Sequence, residues 1–171
     1  MELRNYVKVY DNVVPPQTMG NMIRWFNTCE FTSGVVGQGV LDKNIRNVQT
    51  KPLTNLGKSL TETHWCNLLN RFFSESIRTY AKDTNIKDLG VGQINSIEAL
   101  KYGVGGHYSF HVDHFAAQPR TMSMILLCNN DYEGGNLKFK FHDEEIEIEK
   151  KPNRLIIWHS SFMYPNCVTQ I

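Results

Sequence analysis

The chain has 171 residues, of which 41% are apolar, and a formal charge of +1. That length supports one domain with a real core, and the near-neutral balance supplies no broad field for nucleic acid or anionic lipid. No apolar run reaches about 18 residues and MELRNYVKVYDN is no signal peptide, so no membrane span is expected and the cytoplasm is the default location. Cys29, Cys66, Cys128 and Cys167 lie far apart without a C-x-x-C pair, which argues against a structural zinc and against a disulfide framework.

In chain order, Val7 to Tyr10 alternates like a short strand, and Asp11-Asn12 and Pro15-Pro16 break it. The second proline suits the start of a helix whose stripe is Met19, Met22, Ile23 and Phe26. Thr32 to Val40 is Gly-rich and reads equally as a mobile lid or as an ordinary strand and turn. A second helix starts at Ser59-Leu60-Thr61-Glu62, which has capping-box spacing. Its stripe of Trp65, Leu68, Leu69, Phe72, Phe73, Ile77 and Tyr80 is read as a buried face in preference to an aromatic binding surface. Strands are expected from Gln93 to Leu100, leading to Tyr102, and from Met122 to Cys128, covered on both faces. Leu137, Phe139 and Phe141 alternate with lysines, and Ile146 and Ile148 with glutamates, which predicts a hairpin turning near His142-Asp143-Glu144 with lysines opposite glutamates. A further buried strand spans Arg154 to Trp158. Helices followed by many short strands predict an α+β protein with a β-sandwich or barrel core, and residues 1–171 form a single domain.

The chemistry centres on HYSFHVDHF, residues 107–115. On a strand, His111 and Asp113 point to one face and present an imidazole and a carboxylate to one metal. H-x-D alone is weak, but here it ends the run Tyr102-x-x-Gly105-x-x-Tyr108-x-x-His111-x-Asp113. Gly103, Gly105 and Gly106 let the chain turn before it. They do not read as a phosphate loop, since no Gly-Lys-Ser/Thr comes after them. The hydrolytic-zinc pattern H-x-H-x-D-H fails at its first histidine, where Ser109 stands.

The stretches YGVGGHYSFHVD, RTMSMILLCNN and DYEGGNLKF together resemble the iron(II)/2-oxoglutarate dioxygenases, prolyl 4-hydroxylase-like branch, including its small phage-type members. The resemblance runs from about Ile94 onward. It implies a double-stranded β-helix, or jelly roll, flanked by N-terminal helices. It also implies iron(II) on His111 and Asp113, with 2-oxoglutarate and O2 as cosubstrates, ascorbate as an accessory reductant, and hydroxylation of a peptidyl or free amino-acid side chain. Tyr102 matches the family's cosubstrate tyrosine; Tyr108 and Ser123 join it as candidate cofactor contacts, and Arg120 is a looser pocket candidate.

The family's second histidine falls in a stretch like YPHxV, which here reads Tyr164-Pro165-Asn166-Cys167-Val168. The slot holds Asn166, a poor substitute for imidazole on iron(II). His159 is the alternative third ligand. His107 and His114 are assigned to the other face from His111 or past the strand end, His142 to the turn, and His64 to the helix. The Gly-x-Arg or Gly-x-Lys that comes after the slot in the family is missing. A chain truncated at its C-terminus, with a strand cut short and an exposed sheet edge, is therefore expected. The rival to the hydroxylase is a jelly-roll binding module with a degenerate metal site. Substrate contacts are assigned to residues 31–52 and 114–120.

Overall fold

The computed structural model of the protein describes residues 2–171. Strand β1 (Lys8–Asp11) is followed by a break, and Pro16 opens helix α1 (Pro16–Phe26), where its missing N–H leaves no bond unmade. Helix α2 (Leu60–Asp83) starts at Ser59, whose hydroxyl accepts the Glu62 N–H at 3.2 Å. Only half of the capping box forms. The Glu62 carboxylate turns to the Thr54 N–H at 3.3 Å and to Lys51 at 3.5 Å, and so ties the helix start to the extended chain before it. No described helix is long and apolar enough to cross a membrane.

All strand pairs are antiparallel. β1 pairs with β10 (Arg154–His159), which pairs with β7 (Met122–Leu127). A second sheet runs β3 (Arg46–Asn47), β6 (His107–His111), β11 (Asn166–Val168), β8 (Leu137–Phe141), β9 (Glu144–Glu147). The third runs β2 (Thr32–Ser33), β4 (Gln49–Leu53), β5 (Ile97–Lys101).

Side chains alternate across a strand, and the residues of β10 sort into two cores by that rule. Leu155 and Ile157 face the helices, packed with Met19 and Met22 of α1 and with Trp65, Leu69, Phe73 and Tyr80 of α2. Ile156 and Trp158 face inward, against Leu137, Phe139 and Tyr164. β7 divides the same way: Met122, Met124 and Leu126 lie with the helices, Ile125 and Leu127 inside. Both strands are covered on two faces, which is why they read as nearly continuous apolar runs. Every residue of the α2 stripe packs into the helix-side cluster, so the stripe is core. The architecture is the expected α+β jelly roll with helices against one sheet.

The hairpin register sets Lys138 opposite Glu147 and Lys140 opposite Glu145, with His142 at φ 54° in the turn. Two expectations need correction, and of the two readings of Thr32–Val40 the strand and turn holds. β5 is shorter than Gln93–Leu100, because β4 offers it only five ladder partners, from Gln49 to Leu53. Thr32–Val40 folds as the short strand β2 and a turn closed by Val40 N–H to the Val36 carbonyl at 3.0 Å. The sheet is not open beside Asn166: β11 lies between β6 and β8, and the pairing continues past it. The Ile171 N–H donates to Gly106 O at 3.0 Å, and Gly105 and Gly135 donate back to Ile171 O and Gln170 O at 2.7 and 3.3 Å.

At the edge of the first sheet, Asp11 accepts two bonds from Arg154 at 2.8 and 3.0 Å. These bonds, with Lys151 beside them, hold its carboxyl at about 2. A lowered value means the stabilisation is fully present above the ordinary carboxylate range and is lost as pH falls through it. Asp11→Asn is expected to cost about 1 kcal/mol at neutral pH, a partly exposed pair being screened. Urea unfolding of parent and variant should converge as the pH drops from about 4 towards the folded-state value.

Candidate metal and cosubstrate site

His111 ends β6 opposite Asn166 of β11. The ladder then slips: Val168 faces Tyr108, so two steps on β11 match three on β6. A β-bulge of this kind re-aims side chains. In a regular strand Tyr108 and His111 would point apart; here their rings stack with centroids 3.5 Å apart and planes 15° apart. The bulge also turns His107 away. Strict period two puts residues 107 and 111 on one face, so alternation alone does not remove His107 from the site; the bulge does. Its ring lies 3.1 Å from Asn44 O and 3.2 Å from Gly105 O.

Asp113 comes just after the strand and returns to His111, with Oδ1 3.3 Å from Nε2. Its Oδ2 accepts the Trp158 Nε1–H at 3.0 Å and the Asn166 amide N–H at 3.3 Å. Burial pushes the Asp113 carboxyl up, but its bond to His111 and the His111 charge, then Ser123 and Trp158, outweigh that and hold it below the ordinary range. His111 Nδ1 lies 2.8 Å from Ser109 O. A carbonyl only accepts, so Nδ1 carries a proton, and Nε2 is the ring atom turned to Asp113. Nε2 faces a carboxylate oxygen, a pairing completed by a cation, either a second ring proton or a metal ion.

Tyr102 stands just after β5 with its hydroxyl buried and without a hydrogen-bond partner. Burial raises its pKa, so the group stays a donor. Arg46 Nε is a second buried, unpartnered donor; the guanidinium lies 4.9 Å from the Tyr108 ring centroid. Ser123 sits opposite Trp158 across the β7–β10 ladder, with its hydroxyl 2.7 Å from that of Ser160. Arg120 reaches the Asp113 carbonyl at 3.5 Å.

The structure brings His111, Asp113 and Asn166 together and does not bring His159 to them. His159 is the strand neighbour of Trp158 and faces the opposite way; its Nδ1 accepts the Ser161 N–H at 3.2 Å. His114 is bound to the Arg120 backbone, and His64 packs on Trp65 with ring centroids 4.8 Å apart. Among the described residues no three His, Cys, Asp or Glu side chains gather at one point. The sequence marks Trp158 only as strand core. The available signal is that a buried indole N–H needs an acceptor.

Residues 97–171 match the family model of the 2OG-Fe(II) oxygenase superfamily, a span that holds Tyr102, His111, Asp113 and Asn166. That span is 75 of the 171 residues, and over it the chain is similar to the 2OG-Fe(II) oxygenase superfamily. No curated protein matches it significantly in sequence. Among solved structures, the chain resembles a Trichoplax adhaerens prolyl hydroxylase in complex with a hypoxia inducible factor peptide fragment (TM-score 0.71, 14% identity, 97% of this chain and 78% of that one). It also resembles a Pseudomonas putida prolyl-4-hydroxylase (TM-score 0.69, 17% identity, 96% and 85%). A third likeness is to a 2OG-Fe(II) oxygenase-family oxidoreductase from Burkholderia pseudomallei (TM-score 0.70, 10% identity, 99% and 84%). At these identities the shared property is the fold.

The family matched by residues 97–171 implies iron(II) and 2-oxoglutarate. The donors present fit a divalent cation held by one imidazole and one carboxylate, with His111 Nδ1 held by Ser109 O and Nε2 turned to Asp113; the orphaned Tyr102 hydroxyl has Tyr108 and Arg46 among its neighbours. They do not fit a two-imidazole set, because Asn166 turns its NH2 onto Asp113.

Proposed function

We propose that the protein is an iron(II)- and 2-oxoglutarate-dependent hydroxylase of an amino-acid side chain, peptidyl or free, with His111 and Asp113 as metal ligands. The observation that carries this reading is His111 Nε2 set 3.3 Å from Asp113 Oδ1, in a barrel shared with prolyl hydroxylases. When bound, iron and 2-oxoglutarate supply the oxygen activation that C–H hydroxylation requires. The chain's own contribution is orientation. Ser109 fixes the His111 tautomer, Tyr108 fixes the ring plane, and Asp113 brings a negative charge to a buried place. Tyr102 offers its hydroxyl to an oxygen of the cosubstrate. That the Trichoplax neighbour holds a peptide supports a peptidyl substrate.

Anaerobic titration with iron(II) and 2-oxoglutarate should give a weak visible charge-transfer band, and admitting O2 should give succinate, with ascorbate sustaining turnover. Neither band nor succinate would leave the second reading, a binding module with a degenerate metal site, which the Asn166 amide on Asp113 favours. Tyr102→Phe separates stability from binding. An unpaired buried hydroxyl costs about 1–3 kcal/mol, so the variant should melt no lower than the parent without ligand. Its 2-oxoglutarate affinity should drop about tenfold, the loss of one hydrogen bond of roughly 1.4 kcal/mol. Unchanged affinity would remove Tyr102 from the site.

A further inference from the structure

We infer that Asn166 is not a replacement ligand but, together with Trp158, a clamp on Asp113. Their N–H groups take Oδ2 and leave Oδ1 to bind a divalent cation, with His111 supplying the single imidazole. The inference rests on the proposed ligands His111 and Asp113 and concerns how they are held.

The amide orientation is set by its neighbours. Asn166 Nδ2 lies 3.3 Å from Asp113 Oδ2 and 3.3 Å from the Tyr164 carbonyl, both of which can only accept. Turned over, the amide would set its oxygen against two oxygens. An amide NH2 is a donor and offers a metal nothing. The clamp is built from two sheets. Asn166 is buried in the middle of the five-stranded sheet, registered against His111 on one side and Phe139 on the other. Trp158 comes from β10, is also buried, and its ring packs edge-on to Phe139 with centroids 5.2 Å apart. Two fixed donors from opposite walls therefore meet on one oxygen. Such donors orient a ligating carboxylate and set which oxygen faces the metal. With one imidazole fewer, a bound cation would have one more position left to water.

The test uses the full chain with Mn(II) as probe, affinity by calorimetry and coordinated imidazoles by pulsed EPR. The parent should show one coupled imidazole. Asn166→Ala and Trp158→Phe should keep that one imidazole and bind Mn(II) about 10–100-fold more weakly, the range for loss of an outer-shell partner. Asn166→His should show two and bind more tightly than the parent. Two imidazoles in the parent, an Asn166→Ala affinity within twofold of it, or only one imidazole in Asn166→His would each overturn the clamp. Trp158→Phe keeps an aromatic body in the core, and Asn166→Ala gives an independent reading should the former fold poorly. The hydroxylase reading fails separately: Mn(II) results as expected without succinate from the iron form leave the clamp standing. A parent that binds no Mn(II) at millimolar concentration removes both.

Discussion

Replacing His111 by alanine is expected to remove divalent-cation binding, a loss well beyond the roughly 10–100-fold assigned to outer-shell partners. The reason is the narrowness of the donor set. With Asn166 presenting hydrogens, His111 Nε2 and Asp113 Oδ1 are the donors left to ligate, and one carboxylate oxygen does not hold a hydrated divalent ion against water. The fold should survive, since Asp113 keeps its bonds from Trp158 and Asn166; losing the Tyr108 stack and the ionic partner should cost about 1–3 kcal/mol. Asp113→Asn reaches the same end by another route. The two N–H donors at Oδ2 would hold the new side chain's oxygen, and its NH2 would then point at His111 Nε2, whose lone pair accepts it. The variant fills its own metal position with a hydrogen bond and should fold while binding no cation. Calorimetric Mn(II) titration of both variants, with thermal melts alongside, checks this. An affinity for His111→Ala within threefold of the parent would mean that the pair is an ion pair and nothing more.

Legibility in the sequence divides along the range of the interactions involved. Helix α2 is legible because its signals are local: Ser59 and Glu62 three apart, then a stripe at helical spacing. The β8–β9 hairpin is legible because its partners are adjacent, and the lysine–glutamate register falls where alternation places it. β3 and β4 are not legible. They are short and polar, and β4 carries Pro52, which a ladder tolerates only because β2 has ended there and leaves that side unpaired. The pairing that makes them strands is with residues 44 to 62 positions away. In the site, His111 with Asp113 is readable from spacing. The stack of Tyr108 on His111 is not, because it depends on a bulge whose only trace is a register slip against a distant strand. The donors on Asp113 are hidden for the same reason, lying 45 and 53 residues further along the chain.

Gly134→Ala is expected to be among the most destabilising single-methyl additions in this chain, and the glycine pair after the apolar strand shows why. A Cβ on Gly134 would stand 1.9 Å from Gln170 O and 3.0 Å from Gln170 C. These are backbone atoms that cannot rotate aside, so residues 170 and 171 would have to move. Three bonds go with them: Gly135 to Gln170, Ile171 to Gly106, and Gly105 to Ile171. That segment fills the gap between the loops before β6 and β8, and it continues directly from β11, which carries Asn166. The φ of 67° adds strain for any L side chain. Clash and strain can be separated within the same molecule, because Gly90 has φ 66° and open space where its Cβ would go. Gly90→Ala should cost about 1 kcal/mol, the strain alone; Gly134→Ala should cost about 3–5 kcal/mol, as overpacking and lost bonds add. Urea unfolding of the two variants measures the difference directly. Equal losses would show that residues 170–171 yield freely, and the closing of the sheet beside Asn166 would then contribute little to holding the site.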